Sequence, residues 1–264
     1  MDRPDLERVK RCLGEIGFTV SGSAIYSADT EVGIDFEPGG QIEYCSPPLL
    51  PEETERFFSL MALIQETNSL IKERTGIEYI AVDYLPGRAA APLCLGSSRY
   101  RHLHDRLSRV ESRGLEMMKG TASIHLHVVI SDFRNLLPLF HRLCELSLDP
   151  RFRMSGARRD IWDHTDPTRC GRPPCCFADL SGPDELIRRL IGFALDAAVL
   201  GEDVPFTRAL DRSFGAFLYH MTTIFTDVRF NLKGPTLELR TMDSLPMARF
   251  ASRWEAFIRI MEDV

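Results

Sequence analysis

Thr121-Ala-Ser-Ile-His-Leu-His-Val-Val-Ile130 alternates polar and apolar side chains from its first residue to Val128. A strand places residues i and i+2 on one face, about 7 Å apart. Ala122, Ile124, Leu126, Val128 and Ile130 therefore share a face suited to a core. The opposite face carries Thr121, Ser123, His125 and His127. Two readings are open on this stretch alone. It is a solvated strand face that happens to hold histidines, or it lines a site in which His125 or His127 is a metal ligand or proton-transfer group.

Downstream, Ser131 reads as the cap of a helix running to about Leu146, which Pro138 should kink or shorten. Residues 150–181 carry Arg153, Arg158, Arg159, Trp162, His164, Asp166, Arg169, Arg172 and four prolines. An irregular segment this long in a compact domain is functional or disordered, and its tryptophan and arginines favour a substrate-facing loop. Pro183 opens a helix with Leu186, Leu190, Phe193 and Ala197 on its apolar side. Residues 207–224 read as helical, with His220 near the end. Asp227–Leu232 reads as a strand and Lys233-Gly-Pro235 as a turn. Thr236–Met242 is another alternating strand, with Glu238 and Arg240 on one face and Leu237 and Leu239 on the other. A last helix carries Met247, Phe250, Trp254, Phe257 and Met261.

Upstream, residues 4–17 predict a helix with Leu6, Val9, Leu13 and Ile16 on one face, ended by Gly17. Phe18–Tyr26 reads as a strand broken at Gly22. In Val32–Pro48, Pro38-Gly39-Gly40 turns between two extended pieces, and the second puts Gln41, Glu43 and Cys45 opposite Ile42 and Tyr44. Glu43 is either solvated or aimed into a site. Residues 52–75 predict a helix stopped by Gly76, Ile77–Leu85 a strand, 86–98 a loop, and 99–118 an amphipathic segment broken near Gly114. The pattern gives one α+β domain over residues 1–264, its antiparallel strands backed by helices on the apolar face.

The 264 residues suffice for one large domain or two small ones. A net charge of −6 argues against a nucleic-acid coat or a membrane-surface protein. No apolar run approaches the ~18 residues of a spanning helix, and the charged N-terminus is no signal peptide. These features predict a cytoplasmic protein with no nucleic-acid or membrane partner. The seven cysteines are scattered, so reduced thiols are expected rather than a disulfide framework. Cys170-Gly-Arg-Pro-Pro-Cys175-Cys176 is a loop with incidental thiols or, without a complementing cluster, a poor zinc site.

Three strands thus each present a functional set on one face: Gln41/Glu43/Cys45, Ser123/His125/His127 and Glu238/Arg240. In a one-layer sheet backed by helices these faces look the same way. Carboxylates with an imidazole suit Mg²⁺ or Mn²⁺, and the guanidinium fork matches phosphate oxygens. The alternative is three unrelated solvated faces.

Several stretches resemble, in order, the motifs of plant- and bacterial-type glutamate–cysteine ligases, a family that includes the γ-glutamylcysteine ligases of ergothioneine pathways. They are Glu37-Pro-Gly-Gly-Gln-Ile-Glu43-Tyr-Cys-Ser-Pro-Pro48, Arg99-Tyr100, Gly114-Leu-Glu-Met-Met118, and the strand from Thr121 through His125. Further on come Arg158-x-x-Ile-Trp162-x-x-Thr165-Asp166-x-x-Arg169-x-Gly171, His220-x-Thr-Thr-Ile-Phe-x-x-Val-Arg229 and Leu237-Glu-Leu-Arg-x-x-Asp243. The resemblance implies a glutamine-synthetase-like curved antiparallel sheet forming a funnel. It implies an ATP-dependent reaction in which glutamate's γ-carboxylate is phosphorylated and an amine displaces phosphate from the acyl-phosphate. By position, Glu43, His125 and Glu238 would hold Mg²⁺ or Mn²⁺, with Glu37 a further candidate. Arg240 would neutralise the transferring phosphoryl group, with Thr121 also on the ATP side and Asp243 orienting Arg240. Arg158, Trp162 and Arg169 would line the substrate end, supported by Arg99 and His220, and His127 stands where the family has Asn.

The family's first strand, G-x-E-x-E, supplies two metal carboxylates, and residues 1–36 hold no match for it. Three expectations follow. The site is rebuilt with other groups such as His127; or another subunit, in a homo-oligomer or a strand-completing complex, supplies the strand; or ligation is lost, leaving a binding or partner protein, or a His125/His127 centre for a different metal reaction.

Overall fold

The structure, a computed structural model, describes residues 2–262 and 264. Helix α1 (Arg3–Glu15) starts at a reciprocal cap: the Asp2 carboxylate accepts the Asp5 amide, and the Asp5 carboxylate accepts the Asp2 amide. Strands β1 (Thr19–Ser21), β2 (Ala24–Tyr26), β3 (Gly33–Phe36) and β4 (Ile42–Cys45) follow as an antiparallel meander in chain order. Gly22 turns β1 into β2 with φ +62° and Gly40 closes the β3–β4 turn at +86°, a backbone region that only glycine enters at little cost. Leu6, Val9 and Leu13 of α1 pack on Ile25, Ile34 and Phe36 of this sheet. Ile71 of α2 (Thr54–Thr75) joins them.

The chain continues through α3 (Ser98–Leu107), α4 (Gly114–Gly120), β5 (Leu126–Val129), α5 (Leu136–Leu146), α6 (Gly156–Asp163) and β6 (Cys170–Gly171). Then come α7 (Pro183–Asp196), α8 (Phe214–Met221), β7 (Phe225–Thr226), β8 (Val228–Asn231), β9 (Thr236–Leu239) and α9 (Met247–Glu262). The second sheet has the order β5-β9-β8, antiparallel throughout, and β6 pairs in parallel with β7. Leu126, Val228, Leu237 and Leu239 turn one face of the β5-β9-β8 sheet onto α5, α7 and α9. Each such side chain, fully buried, contributes about 1.5–3 kcal/mol relative to exposure. Phe57 of α2 stacks on Trp254 of α9 with ring centroids 4.0 Å apart, tying the helix of the first sheet to that of the second.

The α+β class with antiparallel sheets stands. The strands do not merge into one layer: among the described residues no backbone ladder joins β4 to β5. Side chains link the segments around them: the Gln41 amide donates to the Thr121 carbonyl at 3.1 Å, and Glu43 of β4 meets His125. The expected strand at 77–85 reduces to a single bridge, Tyr84 to Thr121, because the chain changes partner: residue 121 pairs with 84, residue 123 with Asp243, and only 126–129 with β9. The helix expected from Ser131 instead begins with a 3₁₀ turn capped by Asp132, whose carboxylate accepts the Arg134 amide. Pro138 falls in the first turn of α5, where its missing N–H costs nothing. The segment 207–224 divides into a 3₁₀ turn at 206–208 and α8, and 99–118 into α3 and α4.

The stretch 150–181, read as a loop, contains α6. Ser155 caps it by accepting the Arg158 amide at 3.2 Å. Its buried face is Arg158, Ile161 and Trp162, and an arginine in that face hides the helical period from a hydrophobic count. The expectation of reduced thiols is also corrected at one pair: Cys144 of α5 and Cys176 form a disulfide. Among the described residues no helix is long and apolar enough to cross a membrane.

Candidate functional site

Tyr44 donates from its hydroxyl to Asn68 at 2.8 Å on the helix side of β4, so the neighbouring Glu43 points away from that core. The turn before it is locked by the Gly39 amide donating to Gln41 Oε1 at 3.0 Å. A Cβ on Gly39 would lie 2.4 Å from the Lys119 carbonyl oxygen. Gly39→Ala should therefore lever the turn away from residue 119 and destabilise the protein by about 1–3 kcal/mol. Urea denaturation checks this, and a change within 0.3 kcal/mol of zero, roughly the error of the method, would contradict it.

His125 stands between two carboxylates. Its Nδ1 lies 3.1 Å from Glu238 Oε1 and 3.4 Å from Glu43 Oε1, while Nε2 is 2.9 Å from Ser123 Oγ. A neutral ring with its proton on Nδ1 satisfies all three, donating to the carboxylates and accepting from the serine hydroxyl. Burial, and then the nearby Arg240, push the imidazole pKa down, which favours that neutral form. The hydrogen bond from His125 holds Glu43 below the usual carboxylate range against its own burial.

Glu238 is 3% exposed. It lies opposite His127 on β5 and opposite Arg229 on β8. Arg229 Nε donates to its Oε2 at 2.8 Å, Arg229 Nη2 reaches Oε1 at 3.5 Å, and Arg240 Nη1 donates to Oε1. Burial alone would raise this carboxyl; Arg240, His125 and Arg229 outweigh it and hold it well below the usual range. Burial and Arg240 push Arg229 down to about 10. Arg240 keeps a buried Nε with no partner. Glu37 sits at the same cluster, half-buried; burial and then Glu43 push it up to about 7 against the pull of Arg99 and Arg240. Strands from three parts of the chain thus bring Glu37, Glu43, His125, Glu238 and Arg240 together.

This donor set is not in itself a metal centre. Among the described residues no group of three or more His, Cys, Asp or Glu side chains is arranged to hold a metal ion. The cause is local: both Glu238 oxygens already accept from guanidinium groups, and His125 Nδ1 faces the carboxylates. A cation there competes with Arg229 and Arg240. His127 stays apart from His125, its Nδ1 3.2 Å from Thr236 Oγ1.

The residues expected at the substrate end have other partners. Arg158 and Arg169 are wholly buried. Arg158 donates to the carbonyls of Arg240, Thr241 and Met242 and to Asp243, and its guanidinium lies over the Trp162 ring. Trp162 Nε1 donates to the Phe225 carbonyl at 3.2 Å. Arg169 donates to Asp166, Thr223 and the Ala198 carbonyl. His220 Nε2 donates to the Ala194 carbonyl at 2.8 Å and Arg99 Nη2 to the Thr222 carbonyl at 3.1 Å. Thr121 Oγ1 donates to the Met117 carbonyl at the end of α4. Sequence reasoning placed Ser123 on the functional face of the histidine strand and gave no role to Arg229. The hairpin register was the available signal for Arg229, since a short turn between two alternating strands puts residue 229 opposite 238.

No family model matches the chain. It is 25% identical to the chloroplastic glutamate–cysteine ligase A of Oryza sativa subsp. indica over 272 residues, 87% of this chain and 52% of that protein. It is 24% identical over 307 residues to the chloroplastic glutamate–cysteine ligase of Medicago truncatula, 97% of this chain and 57% of that one. Against the Arabidopsis thaliana enzyme the identity is 24% over 273 residues, 87% and 49% of the two chains. The chain spans about half the length of the curated relatives it matches, and over that half it is similar to the plant glutamate–cysteine ligases.

Proposed function

We propose that the protein forms a γ-glutamyl amide, joining the γ-carboxylate of glutamate to cysteine or another amine in an ATP-dependent reaction that passes through an acyl-phosphate. One observation carries the reading. Glu43, His125, Glu238 and Arg240, from segments remote in sequence, meet in a single partly buried cluster centred on Glu238, in a chain similar to glutamate–cysteine ligases. In this reading the two antiparallel sheets are parts of a glutamine-synthetase-like funnel around the cluster, in a cytoplasmic protein.

Arg240 neutralises the phosphoryl group as it transfers, offering the donor that Glu238 leaves free. Glu238, itself held by Arg229, fixes that guanidinium beforehand, so the charge needs no reorganisation at the moment of reaction. Ser123 holds His125 in the tautomer that bridges Glu43 and Glu238. Mg²⁺, or Mn²⁺ in its place, supplies charge neutralisation to the nucleotide when bound. Among the described residues no three His, Cys, Asp or Glu side chains are grouped to hold it. The reading therefore assigns further carboxylates to a partner subunit, whose strand pairs with the open edge of β4 or β5.

The test is ADP release by the purified protein with Mg-ATP, glutamate and a panel of amines beginning with cysteine. Release that depends on the amine and disappears in Arg240→Ala is the expected result. No release with any amine, with or without added partner extract, would overturn the reading. A second reading is favoured by the full engagement of Glu238 with guanidinium groups: a binding or partner subunit without ATP chemistry. It predicts glutamate binding by calorimetry and no ADP.

A further inference from the structure

Arg240 is the first residue past the end of β9, and both of its backbone polar groups are held from outside the β5-β9-β8 ladders. Its amide donates to the Asp227 carbonyl at 2.9 Å, and its carbonyl accepts from Arg158 Nη2 at 3.0 Å. Asp227 is itself pinned. Its amide donates to the Gly171 carbonyl at 2.8 Å, and its carboxylate receives Arg159 Nη1 at 2.8 Å and Nη2 at 3.0 Å. Asp227 is 1% exposed.

The two arginines are neighbours in α6, and they hold two chain segments that meet at residue 240. Arg158 takes the carbonyls of 240–242 and the Asp243 carboxylate. Arg159 takes Asp227, whose carbonyl accepts the Arg240 amide. Helix α6 is anchored in turn by its Ser155 cap, by the Ser155 amide donating to Asp243 Oδ2 at 2.8 Å, and by Trp162 Nε1 donating to Phe225. A bidentate guanidinium–carboxylate pair fixes angle as well as distance. A group that must meet a developing charge has to be held within about 0.5 Å.

We infer that the Arg159–Asp227 pair is the positioning device for Arg240, acting with Arg158 through the backbone of residue 240. Asp227 and Arg159 touch none of the carboxylates of the cluster in the hydrogen bonds and ion pairs they form; the direct hydrogen bond from this pair to a cluster residue is the Asp227 carbonyl accepting the Arg240 amide. The inference rests on the proposed role of Arg240 and adds the residues that place it.

The experiment is a double-mutant cycle in the full chain: Asp227→Asn, Arg240→Ala, and the two together, read by steady-state kinetics and by calorimetric binding of inorganic tripolyphosphate. Asp227→Asn is expected to lower kcat by at least about tenfold while KM values for glutamate and ATP stay within about twofold. In the Arg240→Ala background the same change is expected to lower the remaining rate by less than about twofold. Asp227→Glu, which keeps the charge, is expected to recover part of the loss. Equal fold-losses in both backgrounds would overturn the inference and leave Asp227 a structural residue. If the unmodified protein releases no ADP, the functional reading fails and tripolyphosphate binding decides the inference. Binding that weakens in Arg240→Ala and to the same extent in Asp227→Asn supports it. Binding that is indifferent to Asp227→Asn, or absent altogether, overturns it.

Discussion

Glu238→Ala should destabilise the protein by about 3–5 kcal/mol and, under the proposed function, abolish amine-dependent ADP release. The side chain is buried beneath Arg229, Arg240 and His125. Removing it leaves two guanidinium groups in a low-dielectric interior without their counter-ion, and that uncompensated charge is the larger part of the cost. Glu238→Gln keeps the shape and one acceptor and should fall between the two. Urea denaturation separates the three proteins; a loss below about 1 kcal/mol for the alanine variant would show that the cluster does not depend on this carboxylate.

The same carboxylate sets the acid limit of stability. Its folded pKa is depressed, so its contribution is complete above the unfolded value near 4 and is lost as pH falls through the folded one. Asp166 behaves alike. Its burial is opposed by Arg106, Thr168 and Arg169, and it is held at about 2. The urea midpoint should thus fall between about pH 4 and pH 2, and fall less steeply in Glu238→Gln.

Reduction of Cys144–Cys176 should cost about 3–4 kcal/mol, or about 10 °C in the melting temperature of a chain this size. The bond closes a separation of 32 residues, and that loop carries all of α6 with Arg158 and Arg159. Its ends sit in the main core, where Cys144 and Cys175 are fully buried and Cys176 nearly so. Melting with and without dithiothreitol, in the parent and in Cys176→Ser, gives the answer. The parent should lose stability on reduction and the variant should be indifferent. An equal shift in both would assign the effect to something other than this bond. In a reducing cytosol the pair rests as thiols, and the loop then relies on its polar anchors, among them Ser155, Arg158, Arg159, Trp162 and Arg169.

The elements that read correctly from sequence are those in which local pattern and tertiary role agree. Helix α2 shows its apolar face and its Gly76 stop; the β3–β4 hairpin shows its Pro-Gly-Gly turn; β9 shows strict alternation. What failed to read was helix α6, because its inward face contains Arg158, a residue counted as polar until its carbonyl partners are known. The histidine strand read as one long element because alternation reports side-chain faces and is silent on partners; the chain changes partner twice along it. The site followed the same division. Alternation put Glu43, His125 and Glu238 on like faces, and the structure brings them together. The family resemblance puts Arg158 and Arg169 at the substrate end; here both are buried and serve as internal scaffolding.

The hairpin β8–β9 has a consequence for the order in which the molecule assembles. Its strands are close in sequence and close on the microsecond scale, bringing Arg229 opposite Glu238 while both are still wet. His125 and Glu43 come from far up the chain and arrive only through large loop closures, which are slow. The carboxylate therefore meets its guanidinium partner before it meets the rest of the cluster, and is already neutralised when the core closes over it. A polypeptide emerging from the ribosome has no Glu238–Arg240 pair until residue 240 is out, so fragments ending before β9 should lack the site's central ion pair however well their first sheet folds.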